Sequence, residues 1–488
     1  MIAARLSTDT RTSPPIGNFA GLTSDSREVR PGFLFAALSG ARVNGADFVP
    51  DAVNRGASAI LASPGTVTAD MLGGATLIED SRPRHRFAMM AAAFYGRQPR
   101  TLVAVTGTNG KSSVVDFTRQ IWQHLGRPAA SIGTLGAIGE GFLRPVALTT
   151  PDPVTLYRTV AQIAAMGLDH LAVEASSHGL SQHRLDGLRL TAAAFTSFSR
   201  DHLDYHGSLP AYLEAKLQLF KELLPAGAPA LINADSTTSE LVVEACRQRR
   251  QHVVTYGRKG LWLKLESSEV DHDGQILQLK AFGHSYKVRL PLVGAFQAAN
   301  ALCAAGLAVV NGEKPDDVIA ALEHLQGVSG RLELAARTPE AAPVFVDYAH
   351  TPDALANAME ALRPHTRRRL ILLFGCGGDR DPGKRPIMGS IAAKHADKVI
   401  VTDDNPRSED PAAIRWAILS ACPGAQEIGD RATAITAAVS ELRAGDVLLI
   451  AGKGHERGQI VGGRTLPFDD TAVAREAVRR LAAEKGWE

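Results

Sequence analysis

The sequence predicts an α/β protein of three domains. Three observations predict it. Two long segments alternate short apolar runs with helix-spaced apolar residues, the rhythm of parallel strands joined by helices. A glycine-rich turn carrying a lysine, VAVTGTNGKSSVVDF at 103–117, links a strand to a helix. The chain has 488 residues, 45% hydrophobic and 21% charged, which suits large cores and roughly two to four domains.

The first segment, residues 1–98, mixes short apolar runs with turns. It holds TSDSREVRPGFLFAALSG and a helix-like GADFVPDAVNRGASAIL, and leaves through GRQPR at 96–100. The second, 99–333, opens with a buried strand at 101–105. Val114, Phe117, Ile121 and Leu125 then recur at helical spacing. Further strands are expected at 170–174, 193–198 and 228–232, with a helix at 154–166. The third, 334–488, repeats the rhythm in VFVDYAH, LILLFGCGGDRD, KVIVTDDNPR and DVLLIAGKGHE. Each apolar run there ends in a polar cluster, as expected where ligands gather beyond the carboxyl ends of parallel strands.

The glycine-rich turn reads as a phosphate site. Gly107 and Gly110 let backbone N–H groups approach an anion, and the following helix adds the positive end of its dipole. Lys111 can reach terminal phosphates and the Ser112 hydroxyl can hold Mg²⁺. The motif is shorter than the usual loop, because Val105 stands where the first glycine would be.

Composition excludes several classes. A net charge of +2 gives no electrostatic case for nucleic acid. The basic runs at 247–250 and 367–369 read as solvated faces. MIAARLSTDTR lacks the apolar core of a signal peptide, and no apolar run is long enough for a membrane span. Four dispersed cysteines without C-x-x-C fit a reduced, cytoplasmic enzyme.

Other clusters carry chemistry. Glu174 ends a strand and is followed by Ser176, Ser177, His178, Gln182 and Arg184, a density of donors that suits a polar or phosphorylated ligand. SRDHLDYHG offers His202 and His206. Without the glutamate of H-E-x-x-H they read better beside Mg²⁺ than as zinc ligands. Lys216, on a helix, reads by composition as a solvated lysine. Phe296 and Asn300 share a helix face. In the third segment Arg380 lies on a glycine-rich loop, Asp404, Asn405 and Arg407 surround the turn at Pro406, and Gly452 and Glu456 follow the last strand. An arginine with carboxylates suits a ligand bearing both charges.

With these stretches in order, namely DSR, GTNGKSS, LTTPD, EASSHGL, QHR, SRDHLDYHG, YLEAK, GRLE, DYAHTPD, FGCGGDRDPGKRP, DNPR and AGKGHE, the chain resembles the Mur ligases along nearly its whole length. These are the ATP-dependent amino-acid-adding enzymes of peptidoglycan precursor synthesis. The resemblance implies their three-domain architecture: a UDP-substrate domain at 1–98, a central P-loop ATPase-like domain with a parallel or mixed sheet at 99–333, and a C-terminal Rossmann-like amino-acid domain at 334–488. It implies a monomer acting on ATP with Mg²⁺, UDP-N-acetylmuramoyl-L-alanyl-D-glutamate and meso-diaminopimelate.

The resemblance also assigns roles. Ser24, Ser26 and the loop near Asn44 would hold the UDP end of the acceptor, and Thr149, Thr150, Ser176, Gln182 and Arg184 the rest. ATP would lie on Gly107, Thr108, Asn109, Gly110, Lys111, Ser112 and Ser113, with Asn300, Arg331 and Asp347. Gln297 stands where the family usually has asparagine. Ser112, Glu174, His202 and Lys216, the last as a carbamate, would surround Mg²⁺, and with Lys111 would form the catalytic group. Arg380, Asp404, Asn405, Pro406, Arg407, Gly452 and Glu456 would select the incoming amino acid. The implied reaction passes through an acyl phosphate, so water must be kept out of a closing cleft.

Two relatives and one other class compete with this reading. A lysine-adding homologue is disfavoured by Arg407, since lysine has no second carboxylate to grip. Folylpolyglutamate synthase shares the phosphate loop, but the DSR and EASSHGL–QHR runs argue against it. A non-catalytic nucleotide-binding module would not need Glu174, His202 and Lys216 beside the phosphate loop.

Overall fold

The computed structural model describes residues 19–40, 43–146, 148–271, 274–484 and 486. The N-terminal stretch read for a signal sequence lies outside them. The first sheet has four parallel strands, Gly21–Thr23, Phe33–Ala36, Ala59–Ala62 and Thr76–Glu79, paired in chain order. Helix Pro83–Tyr95 follows. Proline in its first turn lacks an N–H that would have no partner there, and Gly96 ends it at φ 69°. The helix has two apolar faces. Phe87 and Met90 enter the core of the first sheet, while Ala88, Ala91 and Ala92 enter that of the middle domain.

The middle sheet has eleven strands and is mixed. Its parallel part runs in the order His252–Gly257, Pro229–Asn233, Ala192–Phe195, Thr101–Thr106, His170–Glu174, Ala129–Gly133. Antiparallel pairing extends one edge through Gly136–Gly139 and Phe142–Arg144; on the other, Leu263–Asp271 joins His252–Gly257 in parallel and Gly274–Ala281 and His284–Leu290 follow antiparallel. The phosphate-loop strand is central. Its side chains alternate with period two. Val103 and Val105 pack with Phe117 and Trp122 of helix Lys111–His124 and with Ala301 and Leu302 of helix Ala295–Val310. Leu102 and Ala104 pack on the other face with Leu156 and Val160 of helix Pro153–Ala165. The strand expected at 193–198 stops at Phe195, because the next two side chains turn to the phosphate loop instead of continuing the ladder.

The third sheet has six strands in the order Glu333–Arg337, Pro343–Asp347, Val447–Ala451, Leu370–Phe374, Lys398–Val401, Gln426–Glu427, all parallel except the first. Leu370, Leu372 and Phe374 face one core and Ile371 and Leu373 the other. All four long apolar runs read from the sequence are strands here, and their polar ends lie together at the carboxyl edge.

Among the described residues no helix is long and apolar enough to cross a membrane. The four cysteines are buried and unpaired as disulfides. The run 247–250 is exposed; in the other, Arg368 and Arg369 pair with buried Asp446.

Candidate active site

The phosphate loop leaves strand Thr101–Thr106 and enters helix Lys111–His124. Gly107 has φ 149° and Gly110 φ 89°, a region costly for a residue with a Cβ. A Cβ at Gly107 would lie 1.9 Å from Thr196 Oγ1, and one at Gly110 would lie 2.6 Å from Asn300 Oδ1. The neighbouring strand braces the loop. Thr196 Oγ1 donates to the Asn109 carbonyl at 2.5 Å, and Ser197 Oγ accepts from Asn109 N at 3.0 Å. Lys111 folds back, its Nζ donating to the carbonyls of Gly107 and Thr108, each at 2.9 Å. The loop is thus held open by side chains outside it, with its lysine waiting on its own carbonyls.

Charged groups converge around Lys111. Burial lowers its pKa, opposed by Glu174 and Asp201 and reinforced by Arg331. Glu174 ends its strand fully buried. Its carboxylate accepts Thr134 N at 2.8 Å and Thr134 Oγ1 at 3.2 Å. His202 sits in the left-handed region at φ 52° with its Nε2 3.3 Å from Asp201 Oδ2. Burial pushes its pKa down to about 4, so it is a neutral ligand or acceptor at neutral pH. Lys216 is 1% exposed, against the solvated position that composition predicts. Its Nζ donates to Gly107 O at 2.8 Å and lies 4.3 Å from the centre of the Tyr212 ring. Burial, then the Lys111 charge, drives its pKa well down. Ser112 Oγ accepts from Arg331 Nη2 at 3.2 Å, across the junction of the middle and third domains.

A cleft between those domains is lined by His202 together with Arg380, Asp404, Asn405, Arg407, Gly452 and Glu456. The residues expected to select the amino acid, from three successive strand ends, therefore face the histidine expected at the metal. Arg407 has φ 53°. Hairpin Gly458–Val461 and Arg464–Pro467 pins it, through Arg407 N to Ile460 O at 2.9 Å and Gly462 N to Arg407 O at 2.8 Å. Its guanidinium rests on the carbonyl of Gly378 at 2.8 Å. Asn405 is turned inward, accepting Lys453 Nζ and Ile460 N, each at 2.9 Å, and donating to Glu456 Oε2 at 2.8 Å. It orients Glu456 rather than facing the cleft alone. Asp404 is buried, which raises its pKa, and Gly452, at φ 116°, leaves room for it. Pro406 is buried in the turn.

A second cleft joins Ser24 and Arg84 of the first domain to Asp152, Gln182 and Arg184 of the middle domain. Arg184 donates to the Thr150 carbonyl at 2.7 Å and to Gln182 Oε1 at 2.8 Å. Thr149 lies beside it, bonded to Thr134 at 3.1 Å. Four expected residues have internal partners. Ser176 caps a short helix through Gly179 N at 3.0 Å, and Ser26 is buried against Asp51. Asp347 accepts Leu332 N at 2.6 Å and Ala349 N at 2.7 Å; burial lifts its pKa to about 6. Asn44 caps its own turn through Ala46 N at 3.3 Å. Gln297 bridges Asn300 at 3.1 Å and the Arg331 carbonyl at 3.4 Å, so the substituted position still ties the helix to the interdomain arginine.

Sequence reasoning passed over Asp201, His350, Lys384 and Lys453. Asp201, His350 and Lys384 line the first cleft. Burial raises the Asp201 pKa, yet His350, His202 and Lys384 bring it below the usual value. Their signal lies in SRDHLDYHG, DYAHTPD and FGCGGDRDPGKRP, within four residues of the expected His202, Asp347 and Arg380.

Family models match three stretches: the Mur ligase family catalytic domain over residues 18–95, the Mur ligase middle domain over 105–308 and the Mur ligase glutamate ligase domain over 330–454. A protein of Rhizobium meliloti (strain 1021) called UDP-N-acetylmuramoyl-L-alanyl-D-glutamate–2,6-diaminopimelate ligase is 52% identical over 94% of each chain. A solved structure described by the same activity superposes with a TM-score of 0.69 at 32% identity, covering 97% of each chain. The ADP complex of a MurF ligase from Thermotoga maritima superposes with a TM-score of 0.65 at 19% identity, over 95% of this chain and 98% of that one, a likeness of fold.

Proposed function

Because the chain belongs to the Mur ligase family, we propose that it joins 2,6-diaminopimelate to UDP-N-acetylmuramoyl-L-alanyl-D-glutamate, using ATP, in peptidoglycan precursor synthesis. The observation that carries this reading is the cleft in which His202, near enough to feel the Lys111 charge, meets Arg380, Asp404, Arg407 and Glu456.

The residues fit the nucleotide and the ion. Gly107 and Gly110 form a cradle that a Cβ would fill, suited to phosphates of ATP, with Lys111 free to exchange loop carbonyls for phosphate oxygens. Ser112, Glu174, His202 and a carbamylated Lys216 would hold Mg²⁺, and three oxygen donors of the four suit a hard cation. When bound, Mg²⁺ offsets negative charge on the transferring phosphoryl group.

The chemistry then follows from need. A carboxylate is a poor electrophile. A side-chain carboxylate oxygen of the D-glutamyl residue attacks the γ-phosphorus of ATP, and ADP leaves. The amine of diaminopimelate attacks the resulting acyl phosphate. A C–N bond forms, the C–O bond to phosphate breaks, and the amine loses its proton. Lys111 stabilises the charge that develops on phosphate. Arg407 pairs the far carboxylate of diaminopimelate, while Glu456 and Asp404 pair an ammonium. Arg200 and Asp381, 3.3 Å apart across the cleft, help keep it closed to water.

The test is phosphate release from ATP in the presence of the UDP-linked dipeptide, with diaminopimelate or lysine as amine. Release that depends on diaminopimelate is expected. Release that needs no amine, or that favours lysine, overturns the reading. A ¹⁸O-labelled acceptor carboxylate should pass label to the released phosphate; unlabelled phosphate rules out the acyl phosphate.

A further inference from the structure

Beside the second cleft but outside its lining, at the junction of the first and middle domains, His85, His183 and Asp186 bring one imidazole nitrogen each and a carboxylate oxygen within 4.8 Å of one another. His85 stands in the first turn of helix Pro83–Tyr95. His183 and Asp186 lie on the loop that follows Ser177–Ser181. Asp186 Oδ2 is 2.6 Å from His85 Nδ1 and 2.9 Å from His183 Nδ1. Asp186 is the floor of this group, its side chain 5% exposed, while His183 is 20% and His85 40% exposed. The other carboxylate oxygen, Oδ1, is buried with no hydrogen-bond partner among the described residues. A buried polar atom left in that state is costly and is open to a further partner.

The junction holds the three donors in place. Tyr157 OH donates to the Asp186 carbonyl. Gln98 bridges the segments, donating to Gly187 O at 2.9 Å and accepting from Arg189 N at 3.0 Å. Arg189 Nη2 reaches Gly96 O at 3.2 Å. Helix and loop therefore meet as one unit before any ion arrives.

We propose that His85, His183 and Asp186 form a binding site for a divalent transition metal ion of the zinc class. Two imidazoles and a carboxylate are the donor set that such ions take, at roughly 2.0–2.2 Å from each ligand atom. Hard cations prefer oxygen and would leave the imidazoles unused. Entry is from the solvent side, past His85. Each ring now directs Nδ1 at the carboxylate. On binding, Nδ1 offers its lone pair to the ion, and the proton it shares with the carboxylate moves to Nε2 or leaves to solvent. Water fills the remaining position and can donate to Asp186 Oδ1. The ion would clamp helix Pro83–Tyr95 to the loop carrying Gln182 and Arg184, and so hold the two walls of the Ser24–Arg184 cleft at one spacing.

The experiment is a Zn²⁺ titration by calorimetry of the full-length, tag-free, chelator-treated protein, compared with His85→Gln, His183→Gln and the double variant. Glutamine keeps a polar contact to Asp186, and equal melting temperatures without metal show that the variants fold. Wild type should bind one more equivalent of Zn²⁺ than the double variant, and each single variant should weaken that equivalent at least 10-fold. Zn²⁺ should raise the melting temperature of wild type and not of the double variant. Anomalous scattering at the zinc edge from wild-type crystals needs no variant and should give a peak between the three side chains. Equal stoichiometry in wild type and double variant, or a peak only at His178, His202 and His206, overturns the proposal and leaves the group as a hydrogen-bonded latch. Because the readouts are metal binding and stability, they stand apart from the ligase reading.

Discussion

Lys111 and Lys216 donate to one acceptor, the carbonyl oxygen of Gly107, at 2.9 and 2.8 Å. Two ammonium groups this close in a buried site repel strongly. The more buried one yields: burial and the Lys111 charge both push the Lys216 pKa well down. A neutral amine is the form that attacks CO₂. Its nitrogen bonds to carbon, a proton is lost, and a carbamate carries the negative charge that the pair of lysines lacks.

Lys216 is therefore expected to be carbamylated in the active protein. Lys216→Ala should lose most ligase activity while keeping its melting temperature within a few degrees, and a small carboxylic acid should restore part of the rate. Protein equilibrated with ¹³C-bicarbonate should show a carbamate carbon resonance that the variant lacks. A bare, metal-distant ammonium in a crystal of the active protein would falsify this.

Arg407→Ala tests amino-acid choice. The far carboxylate of diaminopimelate is costly to desolvate unless paired. A charged hydrogen-bonded contact contributes roughly 1.5–3 kcal/mol, so kcat/KM for diaminopimelate should fall about 10- to 100-fold. The value for lysine should change far less. Because Arg407 also bonds the Gly378 carbonyl, equal losses for both amines would mean that it supports the loop and not selectivity.

Gly107→Ala should abolish nucleotide binding. The new Cβ would meet Thr196 Oγ1 at 1.9 Å and the Ser197 backbone at 2.9 Å, at φ 149°. The strand that braces the loop cannot retreat without losing its contacts to Asn109. ADP affinity by calorimetry should fall at least 10-fold, whereas Gly126→Ala, outside the site with open space at its Cβ but a strained φ of 73°, should lose some stability and still bind ADP normally.

Acid should lower the stability of the folded protein. Burial holds His202, His206 and His455 down to about 4, against 6.5 in an unfolded chain. Between those values the unfolded state binds more protons. Their contribution to stability is present above pH 6.5 and is lost as pH falls through about 4. The melting temperature should fall from pH 7 to pH 5, and fall less steeply in His455→Gln. An unchanged slope in that variant would remove His455 from the account.

Much of the molecule was legible in its sequence, for local reasons. Strand Thr101–Thr106, its turn and its helix follow from an apolar run, two glycines and helical spacing, all within 25 residues. The four strands of the third sheet follow from apolar runs that end in polar clusters. Motif order also pointed to the stretches that line the first cleft, since a site at strand ends is written in short contiguous pieces, although it singled out His202 there and not Asp201 or His350. Other features needed the assembled chain. Composition makes Lys216 a solvated helix lysine. Only the packing of Leu209–Gln218 beneath the phosphate loop buries it and sets it on the Gly107 carbonyl. Asn405 lies in a ligand-like turn, yet Lys453, 48 residues away, turns its amide inward. His85 and Asp186, 101 residues apart, share no motif and meet because one helix has apolar faces toward two domains. Backbone turns and periodicity act over a few residues and can be read along the chain. Burial, pKa and convergence of charge depend on neighbours brought from elsewhere, and those the tertiary structure alone decides.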